Sequence, residues 1–98
     1  MKPCKRVEIV IEQALAKRLG EALIEAGAPG YTFFDHAGGS GDRGLRRADE
    51  PTGTATNCVF VIACPDQDTV DNIVELVRPI LSRSGGICLI SDAQWLRH

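Results

Sequence analysis

The segment from Thr56 to Cys64 constrains the fold of this 98-residue chain more than any other, because it reads as a strand with two apolar faces. Its side chains alternate as Val59, Val61 and Ala63 on one side and Cys58, Phe60, Ile62 and Cys64 on the other. A strand with one face in water would alternate apolar with polar residues. Residues 87–90 repeat the pattern, and an exposed apolar area of that size is rare on a monomer. We therefore expect other copies of the chain to cover the second face, with a loop folded over it as the alternative.

The first third of the chain predicts a strand, a helix and a second strand. Lys5 to Ile11 has the alternation of a strand. The helix that follows has apolar residues at three- and four-residue spacing, namely Leu15, Leu19, Ala22, Leu23 and Ala26. Gly27 followed by Pro29 supplies its C-terminal stop. Gly30 to Ala37 has the aromatic content of a second strand.

A second helix is predicted after the third strand. Asp66 or Asp68 can cap its N-terminus. Its apolar face consists of Val70, Ile73, Val74, Val77, Ile80 and Leu81. An interior proline costs about 3 kcal/mol in a helix, so Pro79 predicts a kink or an end near Arg78.

The order of these elements predicts the fold class. A turn at Gly85 and Gly86 leads into a fourth strand, Ile87 to Ser91, and residues 92–98 remain as a short tail. The resulting order, βαββαβ, is the ferredoxin-like α+β arrangement, with a four-stranded antiparallel sheet and two helices on one face. A chain of 98 residues has room for one domain, residues 1–98.

A polar segment from Gly38 to about Ala55 separates the second strand from the third. Connections in compact domains have a median of roughly 4–6 residues, so a loop of about 18 is typical of a functional segment. Its Gly39-Ser40-Gly41-Asp42-Arg43-Gly44 matches the dinucleotide fingerprint in letters only, since no helix is predicted to begin there. Glycine N–H groups with Arg43, Arg46 and Arg47 suit an anion clamp. The alternative is a solvated loop whose arginines balance its own acidic residues.

Charge and composition exclude several classes of function. A net charge of −2 gives no general case for binding nucleic acid or a membrane surface. No apolar run is long enough to cross a bilayer, so we expect a cytoplasmic protein. The four cysteines have no metal-site spacing and are predicted to lie in the core; they are Cys4, Cys58, Cys64 and Cys88.

Few residues suggest catalysis. His36 beside Asp35 is the obvious candidate for a base, but no nucleophile or further metal ligand accompanies it, so a solvated or capping histidine is predicted. Trp95 is predicted to pack at a subunit contact. The sequence therefore predicts a binding protein without enzymatic activity, metal or tightly bound cofactor. A small ferredoxin-like enzyme, such as a nucleotide hydrolase or a monooxygenase, and a metal-binding trimer are the alternatives.

The element order, the long loop and the glycine turn before the fourth strand together resemble the PII signal-transduction superfamily. Gly39-Ser40-Gly41-Asp42-Arg43-Gly44-Leu45-Arg46 is similar to the start of the T-loop in its PII-like inorganic-carbon branch, which includes SbtB and carboxysome-associated PII proteins. Gly85-Gly86-Ile87-Cys88-Leu89-Ile90-Ser91-Asp92-Ala93 is similar to the segment that closes the nucleotide site of that branch. The resemblance extends from about Lys5 to Arg97 and makes residues 38–55 a T-loop-like segment.

The resemblance implies a homotrimer that binds an adenine nucleotide in clefts between subunits, with bicarbonate as a further ligand. It implies that the T-loop signals inorganic-carbon or energy status to a protein partner, such as a transporter or a carbon-fixation component. Carried over by position, the nucleotide-binding residues are Ser40, Gly41, Arg43, Arg46, Gly85 and Gly86. Asp42 stands where that branch has serine, and its carboxylate would repel phosphate. We therefore expect ADP, AMP or cyclic AMP to be favoured over ATP with 2-oxoglutarate.

Overall fold

The elements of the fold follow the alternation of the sequence in the part of the chain that the computed structural model describes, residues 1–41, 44–46 and 56–97. The strands there are β1 (Lys2–Glu12), β2 (Thr32–Ala37), β3 (Gly39–Gly41), β4 (Gly44–Arg46), β5 (Asn57–Cys64) and β6 (Ile87–Trp95). The helices are α1 (Ala16–Glu25), which follows a 3-10 turn at Gln13–Leu15, and α2 (Gln67–Ser84).

Four of the strands form one antiparallel sheet in the order β2-β5-β1-β6. The central strand β1 pairs with β5 on one side, from Lys5 opposite Cys64 to Glu12 opposite Asn57. On its other side it pairs with β6, from Lys2 opposite Trp95 to Val10 opposite Ile87. Both helices pack against one face of this sheet, so the predicted ferredoxin-like α+β fold is confirmed.

The core lies between the sheet and the helices. Alternate residues of β1 and β5 face it and are at most 1% exposed, as with Ile9 and Phe60. The buried set from the sheet is Val7, Ile9, Ile11, Cys58, Phe60, Ile62 and Cys64, and the set from the helices is Leu19, Leu23, Val70, Ile73, Val77 and Ile80. Each fully buried aliphatic or aromatic side chain of this kind contributes roughly 1.5–3 kcal/mol of transfer free energy. This burial offsets the conformational entropy that the two helices lose.

The cysteines belong to the core, as predicted. Cys4, Cys58 and Cys64 are buried, Cys88 is half-buried, and all four are free thiols. Burial, together with a smaller contribution from the negative charge of Asp35, raises the pKa of Cys58 to about 11. A thiol that stays protonated at neutral pH acts as a small apolar side chain and not as a nucleophile.

The second helix does not end near Arg78, so that part of the prediction was wrong. It continues through Pro79 to Ser84. Pro79 has no N–H to donate to the Glu75 carbonyl group, but Glu75 is exposed, so that carbonyl group can bond water. Beyond Pro79, Ile80 is only 5% exposed, and Gly85 closes the helix in a left-handed conformation with φ 75°. Burial and the C-terminal cap thus offset the cost of the proline.

Further boundaries differ from the prediction. Residues 92–95 are not a tail but continue β6 as far as Trp95, because they pair with residues 2–5 of β1. The Arg97 guanidinium lies 5.0 Å from the centroid of the Trp95 ring.

Part of the predicted loop is a small hairpin of β3 and β4. Residues 42, 43 and 47–55 of that loop and the terminal His98 lie outside the described residues.

The other face of the sheet has no helix on it in the part of the chain described. Phe34, Ile87 and Leu89 are 57%, 52% and 53% exposed there. Val59 and Val61 of β5 are half-buried on the same face. The face is apolar and open in the single subunit, as the pattern of residues 56–64 predicted. That other copies of the chain cover it stays a prediction.

Candidate functional site

Both ends of the T-loop-like segment lie at one end of the sheet, next to the C-terminal end of β1. Ala37, the last residue of β2, is paired with Asn57, the first residue of β5, and Asn57 is paired with Glu12. Thr56 precedes β5 and is completely buried. The long connection therefore begins and ends on neighbouring strands, beside the central strand of the sheet.

Gln13 connects these two ends. Its backbone N–H donates to the Thr56 carbonyl oxygen at 3.0 Å. Its side-chain Nε2 donates to Asp35 Oδ1 at 2.8 Å, and its Oε1 accepts from the His36 backbone N–H at 3.3 Å. Gln13, which directly follows β1, thus bonds to two residues near the end of β2 and to the residue that precedes β5. The sequence prediction missed Gln13, because a polar residue after a strand has no distinctive pattern.

His36 adopts a left-handed backbone conformation, with φ 57°. Among the described residues, no other residue with a β-carbon has a positive φ. The register of β2 against β5 shifts between Phe34 and Ala37, so His36 lies in a β-bulge. The predicted solvated or capping role agrees with its exposed side chain, and the backbone N–H makes the bond to Gln13.

The glycine turn lies at the same end of the sheet. Gly85 caps α2, and its N–H donates to the Leu81 carbonyl oxygen at 2.9 Å. Gly86 lies so close to the central strand that an added β-carbon would be 2.6 Å from the carbonyl oxygen of Val10. A packing requirement therefore accounts for Gly86 without any ligand. That Gly85 and Gly86 line a nucleotide cleft stays a prediction.

The two ends of the loop, residues 35–37 and 56–57, form the loop base. It lies at the same end of the subunit as the glycine turn but does not meet it there. Phe34, Val59, Val10 and Ile87 follow one another across the four strands. Three interstrand spacings, about 14 Å, separate the β2 end of the loop from β6, and two spacings, about 10 Å, separate its β5 end from β6. A ligand that touches both segments through short contacts would need the loop to reach over the strand ends or a second subunit to bring its own turn.

Three of the remaining predicted site residues, Ser40, Gly41 and Arg46, belong to the hairpin. Its backbone pairs Gly39 with Arg46, Ser40 with Leu45 and Gly41 with Gly44. This pairing puts the backbone of Arg46 opposite that of Gly39, two residues after the end of β2. Arg43 lies outside the described residues, and ligand contacts by all of these residues stay a prediction.

The opposite end of the sheet has an open cavity of about 660 Å³. It is lined by Pro3, Cys4, Lys5, Pro65, Asp66, Asp92, Ala93 and Gln94. Two of its charged groups, Lys5 and Asp92, form an ion pair. The third, Asp66, caps α2 and accepts from the Thr69 N–H at 2.9 Å. These charges already have partners within the subunit.

The described residues contain no group of three or more side chains that could hold a metal ion. Neither helix in this part of the chain is long and apolar enough to span a membrane. Asp35, one of the two candidate catalytic groups, has its carboxylate bonded to Gln13. The best-defined feature at the loop end is therefore a set of backbone-positioning bonds and not a cluster of reactive groups.

Comparison with known proteins gives a consistent result along the chain. The family model described as nitrogen regulatory protein P-II matches residues 4–98. The chain is similar to CPII of Thiomonas intermedia K12, a nitrogen regulatory PII-like protein solved with ADP, AMP and bicarbonate, with 25% identity and a TM-score of 0.83. That match covers 97% of this chain and 90% of the other. The GlnK–ATP complex of B. subtilis shares the fold at 20% identity and a TM-score of 0.64, with 95% of this chain and 84% of that chain covered.

Proposed function

Because the chain belongs to the nitrogen regulatory protein P-II family, we propose that it is a cytoplasmic PII-like signalling protein that binds an adenine nucleotide between subunits of a homotrimer. The observation that carries the proposal is the likeness to CPII over nearly the full length of both chains. CPII was solved with ADP, AMP and bicarbonate, and we propose the same ligands for this chain. Its role is regulation and not catalysis.

The geometry of the subunit supports binding between copies. The loop base and the glycine turn lie at the same end of the sheet, yet two to three interstrand spacings apart, which is about 10–14 Å. An exposed apolar face that includes Phe34 and Leu89 gives the copies a reason to associate. Association would place the loop of one subunit against the glycine turn of its neighbour. The proposed nucleotide-binding residues are Ser40, Gly41, Arg43, Arg46, Gly85 and Gly86.

The charge of the loop supports a preference among nucleotides. Arg43 and Arg46 supply guanidinium groups for phosphate, whereas Asp42 adds a carboxylate immediately before Arg43 in sequence. We propose that repulsion by Asp42 acts mainly on the third phosphate, so that ADP, AMP and cyclic AMP bind more tightly than ATP. Nucleotide and bicarbonate together would report energy or inorganic-carbon status, and the loop would pass it to a transporter or a carbon-fixation component.

Titration calorimetry with AMP, ADP, ATP and cyclic AMP, each with and without bicarbonate, tests the proposal. We expect binding of ADP or AMP, and a light-scattering mass of three subunits. Arg46→Ala should weaken binding at least tenfold, because a charge-assisted bond to phosphate contributes about 1.5–3 kcal/mol. Arg78→Ala, which removes an exposed arginine from α2, is the matched control and should leave binding unchanged.

Two results would overturn the proposal. One is that none of the four nucleotides binds to the wild-type protein. The other is steady conversion of a bound nucleotide into product that His36→Ala abolishes, which would favour the enzyme alternative. Asp42→Ser tests the preference separately, since it should bring the affinity for ATP closer to that for ADP.

A further inference from the structure

We propose that Gln13 is a positioning residue for ligand binding, which holds both ends of the T-loop-like segment in a fixed relation to the central strand. The proposal rests on the proposed function in so far as nucleotide affinity is one of its readouts. Gln13 does not touch the ligand in this proposal. It acts through Asp35, His36 and Thr56, to which it makes its three bonds.

The three bonds reach two segments that are far apart in sequence. The side chain bonds to Asp35 and His36, just before the loop, and the backbone N–H bonds to Thr56, just after it. The orientation of the Gln13 amide follows from its partners, because only the NH₂ group can donate to a carboxylate and only the oxygen can accept from a backbone N–H. Donor and acceptor are therefore both used, and the side chain has one preferred arrangement.

Gln13 is joined to β1, the most constrained strand of the sheet. Gln13 directly follows β1, which pairs with β5 and β6 along most of its length. The edge strand β2, by contrast, pairs on one side only and contains the bulge at Asp35 and His36. A bond from the central strand to the end of an edge strand restricts the least supported part of the loop base.

The left-handed backbone conformation of His36 supports a positioning role for its bond to Gln13. A left-handed backbone is unfavourable for a residue with a β-carbon and persists only where surrounding bonds stabilise it. The His36 N–H bond to Gln13 is one such bond. Without the Gln13 side chain, His36 can return to an extended conformation, which changes the direction in which residues 37–41 leave the sheet. A loop with more starting directions loses more entropy when a ligand orders it.

Gln13→Ala tests the proposal, with Gln67→Ala as the matched control. Gln67 also donates from Nε2 to an aspartate, Asp71 Oδ1 at 2.9 Å, but on α2. We expect Gln13→Ala to weaken ADP binding about 3–10-fold, the effect of ordering one or two additional side chains. Gln67→Ala should leave ADP binding unchanged. The melting temperature of each variant separates this effect from a general loss of stability.

A second pair of variants tests the chemistry of the contact. Gln13→Glu places a carboxylate against Asp35 and should weaken ADP binding at least as much as Gln13→Ala. Gln13→Glu combined with Asp35→Asn restores a donor opposite an acceptor, and leaves an acceptor for the His36 N–H, so binding should return to within about twofold of wild type. If any substitution at position 13 disturbed binding without regard to this contact, the double variant would bind ADP no better than Gln13→Glu.

Hydrogen exchange of the His36 amide gives a readout that needs no nucleotide. Exchange should be faster in Gln13→Ala than in the wild type and in Gln67→Ala. If the His36 amide exchanges equally in all three proteins, or if Gln13→Ala binds ADP as the wild type does, the proposal is wrong. If the wild type binds no nucleotide, the proposed function fails, and amide exchange alone decides whether Gln13 orders the loop base.

Discussion

The two faces of the sheet have similar side chains but different surroundings. On the helix side, Ile9 and Phe60 are at most 1% exposed. On the open side, their sequence neighbours Val10 and Val59 are half-buried, and Leu89 is 53% exposed. Apolar alternation thus indicates which faces of a sheet must be covered, but it does not indicate what covers them. The helices of the subunit cover one face and leave the other open in the single subunit.

The charges on the open face are compatible with burial in an interface. Arg6 and Glu8 project from β1 on that side, and Arg6 Nη2 donates to Glu8 Oε1 at 3.1 Å. A charged group that brings its own partner costs less to bury than an isolated one. The same pair on a face exposed to water would contribute little to stability. The open face thus differs from the core in having a paired charge among its apolar residues.

The largest expected effect distinguishes two phenylalanines on opposite faces. Phe60→Ala should lower the free energy of unfolding by about 3–5 kcal/mol, because it leaves a cavity between the sheet and the helices. Phe34→Ala, at a site 57% exposed in the subunit, should cost less than half as much and should raise the protein concentration needed for assembly. Urea unfolding and a light-scattering dilution series measure the two effects. Equal losses in unfolding free energy would contradict the distinction.

The second effect concerns adjacent residues of β6 that point to opposite sides. Leu89 and Ile90 are 53% and 47% exposed, and only Leu89 lies on the open face. Leu89→Asp should convert the assembly into single subunits, because an unpaired carboxylate would be buried in the interface. Ile90→Asp should keep the assembled mass. Light scattering of both variants at the same concentration decides, and an assembled Leu89→Asp protein would show that the open face is not the interface.

A smaller effect is expected where the chain passes from the helix layer back to the sheet. Gly86→Ala would place a β-carbon 2.6 Å from the Val10 carbonyl oxygen, so β6 has to move away from β1. Overpacking of this kind costs about 1–3 kcal/mol. Thermal unfolding should show the loss both with and without ADP. A stability equal to wild type, together with weaker ADP binding, would instead indicate that Gly86 acts only on the ligand.

The smallest effect is a pH dependence in the helix layer. The N–H and hydroxyl of Thr69 hold the pKa of Asp66 below its ordinary value of 3.8. The folded state therefore favours the ionised carboxylate, so its contribution is present above about pH 3.8 and is lost as the pH falls through the lower folded value. Asp66→Asn keeps an acceptor but loses the charge. Its melting temperature should lie a few degrees below that of wild type at pH 6, and the difference should shrink towards pH 2.

The prediction of the fold succeeded where the information is local. The alternation of residues 56–64 and the spacing of apolar residues in α2 identified the strand, the helix and their buried sides. The predicted end near Arg78 was wrong, because α2 continues through Pro79 and burial of Ile80 offsets the local cost of the proline. The prediction also ended the last strand at Ser91, since nothing within residues 92–95 indicates that they pair with residues 2–5.

The candidate site was predictable only in part. The glycine and arginine residues of the loop stand out in the sequence as an anion-binding composition, and the glycine turn stands out as a turn. The reason for Gly86, close contact with the Val10 carbonyl oxygen, depends on packing between segments that are far apart in the chain. Gln13 has no sequence signal, because its role depends on where Asp35, His36 and Thr56 lie in space.

Local patterns were enough to predict the order of strands and helices, the apolar residues on both sheet faces and the position of the long polar segment. The apolar patterns repeat every two residues in a strand or about every 3.6 residues in a helix, so they can be recognised without knowing any partner. The three-dimensional fold was needed to learn how far β6 continues, that α2 passes Pro79, and that Gln13 connects the two ends of the loop. Those outcomes depend on register and contact between distant segments, and no local pattern specifies which distant backbone a side chain will meet.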